Sequence, residues 1–108
     1  MIPQIHPNDV KAKLDAGEPV VLLDVRQPNE YAYCRLEPSE HIPLHELPGR
    51  WEELDVPADA LVVVYCHHGV RSLSGAAILM QAGIKNVASM SGGIEAWSLL
   101  VDPTVRRY

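Results

Sequence analysis

Two stretches of the chain are short and almost wholly apolar: Val20-Val21-Leu22-Leu23-Asp24-Val25 and Leu61-Val62-Val63-Val64-Tyr65. A strand with one wet face alternates apolar and polar side chains; a strand covered on both faces does not. These runs therefore read as strands buried on both sides, the habit of a parallel sheet. Residues 87–90 (VASM) make a weaker third strand, and His41-Ile42-Pro43 and Ile5 are short edge pieces.

Helical patterns fall between the strands. Over 7–16, Pro7 suits a first helical position, Val10 and Leu14 share a face, and Gly17 suits the stop. The segment 28–34 again opens with a proline, and around 48–54 Leu47, Trp51 and Leu54 fall at helical spacing. The clearest stripe lies in 72–82, where Leu73, Ala76, Ala77 and Met80 precede Gly83. Over 93–100, Ile94, Trp97 and Val101 share a stripe. Strands alternating with helices predict an α/β fold, a three-layer α/β/α sandwich around a mainly parallel sheet of roughly five strands. The 108 residues make one domain, 1–108.

Composition removes several function classes. Hydrophobic residues at 47% and charged residues at 21% argue against disorder. No apolar run approaches the ~18 residues of a membrane span. The start, MIPQIHPNDVK, has no basic-then-apolar signal segment. With the need for a reduced thiol, this implies a cytoplasmic setting. Cys34 and Cys66 are too few for a disulfide framework. A net charge of −5 argues against nucleic acid as a partner. That charge is uneven: residues 1–60 hold twelve of the fourteen acids, and none lies between Asp59 and Glu95.

Cys66 lies inside the acid-free stretch. In parallel α/β sheets, ligands bind beyond the carboxyl ends of the strands. The strand ending at Tyr65 and the helix starting near Ser72 enclose Cys66-His67-His68-Gly69-Val70-Arg71. A free thiol, with a pKa of about 8.5, is only a few per cent ionised at pH 7. A helix N-terminus favours an anion, Gly69 lets the loop curl with its N–H groups inward, and Arg71 adds a permanent positive charge. Ser72 caps the helix or donates to a bound group. The expectation is a reactive thiolate in a cradle for an anionic or polarisable adduct; the alternative is a buried structural cysteine at a strand end.

Several segments together resemble the single-domain rhodaneses, a sulfurtransferase family. Asp24-Val25-Arg26 followed by Glu30-Tyr31 is similar to the family's DVR-x-x-x-E-[YF] segment. Residues 66–72 are similar to its active-site loop, and Gly92-Gly93-Ile94-Glu95-Ala96-Trp97 to its closing motif. The opening IHPNDVKAKLDAGEPVVLLDVR fits its N-terminal stretch. The resemblance implies that Cys66 takes a sulfane sulfur from a small anionic donor such as thiosulfate, as a persulfide, and passes it to a thiophilic acceptor. It implies that the backbone N–H groups of His67, His68, Gly69, Val70, Arg71 and Ser72 hold the outer sulfur and that Arg71 helps bind the donor. No metal or organic cofactor is implied. Phosphatases and arsenate reductases of the same fold use a Cys-x5-Arg loop, whereas Cys66 and Arg71 here are spaced Cys-x4-Arg. Residues 36–44, LEPSEHIPL, lack the family's usual glycines. This variant, the CHHGVRS loop and the closing VDPTVRRY resemble rhodanese domains fused to sulfur-carrier activating enzymes, which implies a sulfur-acceptor protein.

The remaining residues carry two readings each. Asp24 supports the 66–72 loop or pairs with Arg26, and a structural role is favoured because an acid at the nucleophile would oppose its ionisation. Arg26 and Glu30, four apart, are expected to pair with each other. His67 and His68 rim the site and, when protonated, attract anions; a zinc site with His41 or His45 is disfavoured. Cys34 is a packing residue or resolves the persulfide as a disulfide. Trp51 and Trp97 anchor the core, and Gly92-Gly93 lets a loop approach the active one. Arg106, Arg107 and Tyr108 form a polar tail that frays or meets a partner. A non-catalytic binding or redox-sensing module is the competing functional class.

Overall fold

A computed structural model describes residues Met1–Tyr108. Five strands form one parallel sheet in the order β1-β5-β4-β2-β3: β1 (Gln4–Ile5), β2 (Val20–Asp24), β3 (Glu40–His41), β4 (Leu61–Tyr65) and β5 (Val87–Met90). The two apolar runs are neighbours at the centre, with Val20 opposite Leu61 and Asp24 opposite Tyr65. Five helices complete the chain: α1 (Pro7–Asp15), α2 (Pro28–Tyr33), α3 (Leu47–Arg50), α4 (Arg71–Gln81) and α5 (Gly93–Leu100).

The side chains of the central strands explain the three layers. On β4, Val62 and Val64 point into one core with Leu23, Leu47, Ala76 and Leu79, on the α3 and α4 side. Val63 and Tyr65 point into a second core with Leu22, Val10, Ile94 and Trp97, on the α1 and α5 side. A period of two on an all-apolar strand thus feeds both faces. No helix is long and apolar enough to cross a membrane.

Two expected helices differ. The segment around 48–54 is a single α-turn, Leu47–Arg50, between two 3-10 turns, Leu44–Glu46 and Trp51–Glu53. Pro48 and Gly49 sit inside it, and both weaken helix propagation. On α4 the buried positions are Ser72, Gly75, Ala76 and Leu79, while Leu73 is half-buried and Met80 exposed. The face is rotated because Gly75 lies against β4: a Cβ there would approach Val64 Cγ1 to 3.0 Å. Trp97 is buried, whereas Trp51 packs half-exposed at the edge of the α3–α4 core.

Arg26 and Asp24 are fully buried beside the end of β2. The guanidinium grips the carboxylate through Nε at 3.0 Å and Nη2 at 2.6 Å, and Nη2 also donates to the Cys34 carbonyl at 2.6 Å. Burial alone would push the Arg26 guanidinium down, but Asp24 and the Tyr108 hydroxyl outweigh it and hold it above its ordinary value. The pair joins β2 to the end of α2, so the expected Arg26–Glu30 pair does not form. Truncating Asp24→Ala would strand a buried cation, and the expected loss is on the order of 3–5 kcal/mol in urea unfolding. A loss below about 1 kcal/mol would show that the carboxylate does not carry the guanidinium.

Candidate active site

Cys66 follows β4 directly and has no exposed surface. Its Sγ accepts the backbone N–H of Gly69 at 3.1 Å and of Ser72 at 3.3 Å. Gly69, with φ of +98°, supplies the reversal that turns these groups inward. The N–H groups of His67, His68, Val70 and Arg71 have no acceptor within the protein. The loop is therefore a partly filled ring of donors around a sulfur atom, at the N-terminus of α4.

Arg71 is the first residue of α4, one earlier than expected, with Val70 at the N-cap. Ser72 consequently does not cap the helix. Its hydroxyl lies 3.5 Å from Cys66 Sγ and 2.7 Å from Ser89 Oγ, which fixes it beside the sulfur. Ser89 is buried on β5 and was not singled out from the sequence; a polar residue in an otherwise apolar strand was the available signal.

The glycine pair acts as expected, by close approach. Cys66 and His67 turn their carbonyls away from the sulfur, and the N–H groups of Ile94 and Glu95 at the start of α5 donate to them at 2.8 and 3.1 Å. Gly93 makes this contact possible, since a Cβ there would fall 2.4 Å from both carbonyl oxygens.

Folding brings acids back to the acid-free segment. Glu30 crosses from the acidic half and grips Arg71 with both oxygens, at 2.7 and 3.0 Å. The Arg71 guanidinium, aided by Tyr108 against the cost of burial, pushes the Glu30 carboxyl down to about 2. Glu30 in turn raises Arg71. Asp24 is committed to Arg26 and makes no hydrogen bond to the 66–72 loop.

His67 is sandwiched between His68, at 3.9 Å between ring centroids, and Tyr108, at 3.8 Å. Burial, then the neighbouring His68, pushes the His67 ring below its ordinary value, and its Nε2 is buried without a partner. Both effects disfavour the cationic form of the His67 ring. His68 is exposed at the rim. His41 stacks on Tyr31 and hydrogen-bonds the Arg26 carbonyl at 2.8 Å. Cys34 caps the end of α2 and belongs to the α1–α5 core, whereas Cys66 belongs to the α3–α4 core. The two thiols lie on opposite faces of the sheet, so a disulfide between them within one chain is not prepared.

The tail is docked against the site. The Tyr108 hydroxyl accepts from Arg26 at 2.8 Å and donates to Glu30 at 2.7 Å, joining the two arginine–carboxylate pairs. Burial pushes the phenol up to about 12, which keeps its proton in place.

Comparison with known proteins shows the family and the fold. A family model described as Rhodanese-like domain matches residues 6–100. A protein of Allochromatium vinosum named sulfurtransferase is 37% identical over 98 residues, covering 91% of this chain and 90% of the relative. The probable adenylyltransferase/sulfurtransferase MoeZ of Mycobacterium tuberculosis is 31% identical over 104 residues, 96% of this chain but 26% of that longer protein. A crystal structure of a thiosulfate sulfurtransferase from Pseudomonas aeruginosa superposes with a TM-score of 0.85 at 32% identity, over 98% of this chain and 20% of that one.

The Glu30–Arg71 pair gives a pH-dependent expectation. A carboxyl held below its unfolded value of 4.5 stabilises the fold fully above that pH, and the contribution fades as pH falls towards 2. Glu30→Gln is expected to lose on the order of 1–2 kcal/mol at pH 7, allowing for solvent screening of a partly exposed pair. In urea unfolding the gap to wild type should narrow between pH 4.5 and 2. A gap that does not change with pH would show that Glu30 acts by packing alone.

Proposed function

The chain belongs to the rhodanese-like domain family, and on that premise we propose that it is a sulfurtransferase whose nucleophile is Cys66. One observation carries the reading. Cys66 Sγ is held by two backbone N–H groups, at 3.1 and 3.3 Å, inside a loop that has four more N–H groups unpaired. The first two stabilise a thiolate, and the free four suit a second, outer sulfur that is partly anionic.

In the reaction we propose, the Cys66 thiolate attacks the outer sulfur of thiosulfate. The sulfur–sulfur bond of the donor breaks and sulfite leaves with its electron pair. The Cys66 persulfide so formed is then attacked at its outer sulfur by the acceptor, cyanide in the laboratory. The new acceptor–sulfur bond takes the acceptor's lone pair, and Cys66 departs as the thiolate. Arg71 draws the anionic donor in and is oriented for it by Glu30. Ser72, anchored by Ser89, and Gly69 steady Sγ through both half-reactions. Asp24 and Arg26 hold the end of β2 and act through Glu30 and the tail. No metal or organic cofactor enters the scheme.

Residues 1–108 act in this proposal as one domain. The likeness to the adenylyltransferase/sulfurtransferase supports a sulfur-acceptor protein as the biological recipient, in a cytoplasm that keeps the thiol reduced. The Cys-x4-Arg spacing supports sulfur over a tetrahedral phosphate or arsenate as the guest.

Steady-state kinetics with thiosulfate and cyanide test the proposal. A carrier that is loaded and unloaded in turn gives parallel double-reciprocal lines, and Cys66→Ser is expected to fall to the uncatalysed rate. Intersecting lines together with activity retained in Cys66→Ser would sink it.

A further inference from the structure

The segment after α5 is tied down beside the catalytic loop. Arg107 grips Glu95 through Nε, at 3.1 and 3.2 Å, and Nη2, at 2.7 Å. Glu95 is the residue whose N–H takes the His67 carbonyl. Arg106 lies over the Tyr33 ring, 5.6 Å from its centroid. Tyr108 stacks on His67 with the rings 10° from parallel, and its hydroxyl bonds Glu30, the clamp on Arg71. His67 follows the nucleophile and Arg71 closes the loop. One side chain therefore reaches from one end of the cradle to the partner of its other end. Cys66, the residue before His67, has no exposed surface.

These contacts are made at the surface. Tyr108 is 43% exposed and the Arg107 side chain 58%, so the Arg107–Glu95 pair is weak and reversible, while the Tyr108 hydroxyl is tied to the buried Arg26. The sulfur-transfer chemistry uses neither residue. What the arrangement does provide is an aromatic ring stacked on the residue next to a buried thiol and bonded to the partner of Arg71.

We propose that Tyr108 is a specificity-determining residue: it gates the mouth of the Cys66 loop, passing slim reagents and holding back bulky ones until the tail lifts. Slim anions such as thiosulfate need only local breathing of the loop. A bulky reagent needs the stack on His67 and both hydroxyl contacts broken, and it reacts in proportion to the fraction of molecules with the gate open. The role in choosing donors rests on the sulfurtransferase reading, but access to the thiol is measurable without any sulfur transfer.

The test is the rate of Cys66 alkylation at pH 7 by iodoacetamide and by fluorescein-5-maleimide, with peptide mass mapping to count Cys66 apart from Cys34. Tyr108→Ala is expected to raise the maleimide rate on the order of tenfold and the iodoacetamide rate less than about twofold. Tyr108→Phe keeps the stack and loses the hydroxyl contacts, so it should fall between. Arg107→Gln loosens the tail with Tyr108 still present and should favour the maleimide by roughly two- to threefold. Equal maleimide rates in wild type and Tyr108→Ala would overturn the gate. So would an equal rise for both reagents with a lowered melting temperature, which marks general loosening. A protein that takes no sulfur from thiosulfate yet shows the split between reagents keeps the gate and loses the sulfurtransferase reading.

Discussion

The site rests on an exchange of backbone hydrogen bonds between the Cys66 loop and the start of α5. A loop that points its N–H groups at a sulfur must point its carbonyls the other way. Buried carbonyls without donors are costly, so something must meet them. The N–H groups of Ile94 and Glu95, unpaired by their place in the first turn of a helix, do so at 2.8 and 3.1 Å. The contact is backbone against backbone, and at position 93 only glycine fits: its φ is +61°, and a Cβ would collide with the oxygens of both Cys66 and His67. The last helix of the chain is thus a structural part of a loop formed some twenty-five residues earlier.

A second organising element is the run of charges from Asp24 through Arg26, Tyr108 and Glu30 to Arg71. Its inner end is fully buried and its outer end reaches the loop. A buried ion pair contributes little net stability against an apolar replacement, because desolvation offsets most of its attraction. Its value here is orientation. It fixes β2 against the end of α2, and through Tyr108 and Glu30 it sets the direction in which Arg71 presents its charge.

The fold and the loop were legible in the sequence because they depend on local patterns. The central strands, β2 and β4, follow from apolar runs, and the curl at Gly69 follows from its place between a strand and a helix. The pairing of charges was not legible. Arg26 and Glu30 stand at helical spacing, but Arg26 precedes α2 and turns back to Asp24, leaving Glu30 to Arg71, 41 residues away. The rotated face of α4 depends on the contact of Gly75 with Val64, a tertiary fact that side-chain periodicity does not contain. The folded tail depends on Tyr108 reaching Arg26, 82 residues back, a contact that no local pattern contains.

In the proposed reaction, Cys66 carries a single transferable sulfur. Intact-protein mass spectrometry after exposure to thiosulfate, with and without subsequent cyanide, tests it most directly. The expected result is the gain of one sulfur atom, mapped to Cys66, removed by cyanide and absent in Cys66→Ser. A protein whose mass does not change with thiosulfate, mercaptopyruvate or a cysteine-desulfurase donor, or whose added sulfur maps to Cys34, would contradict it.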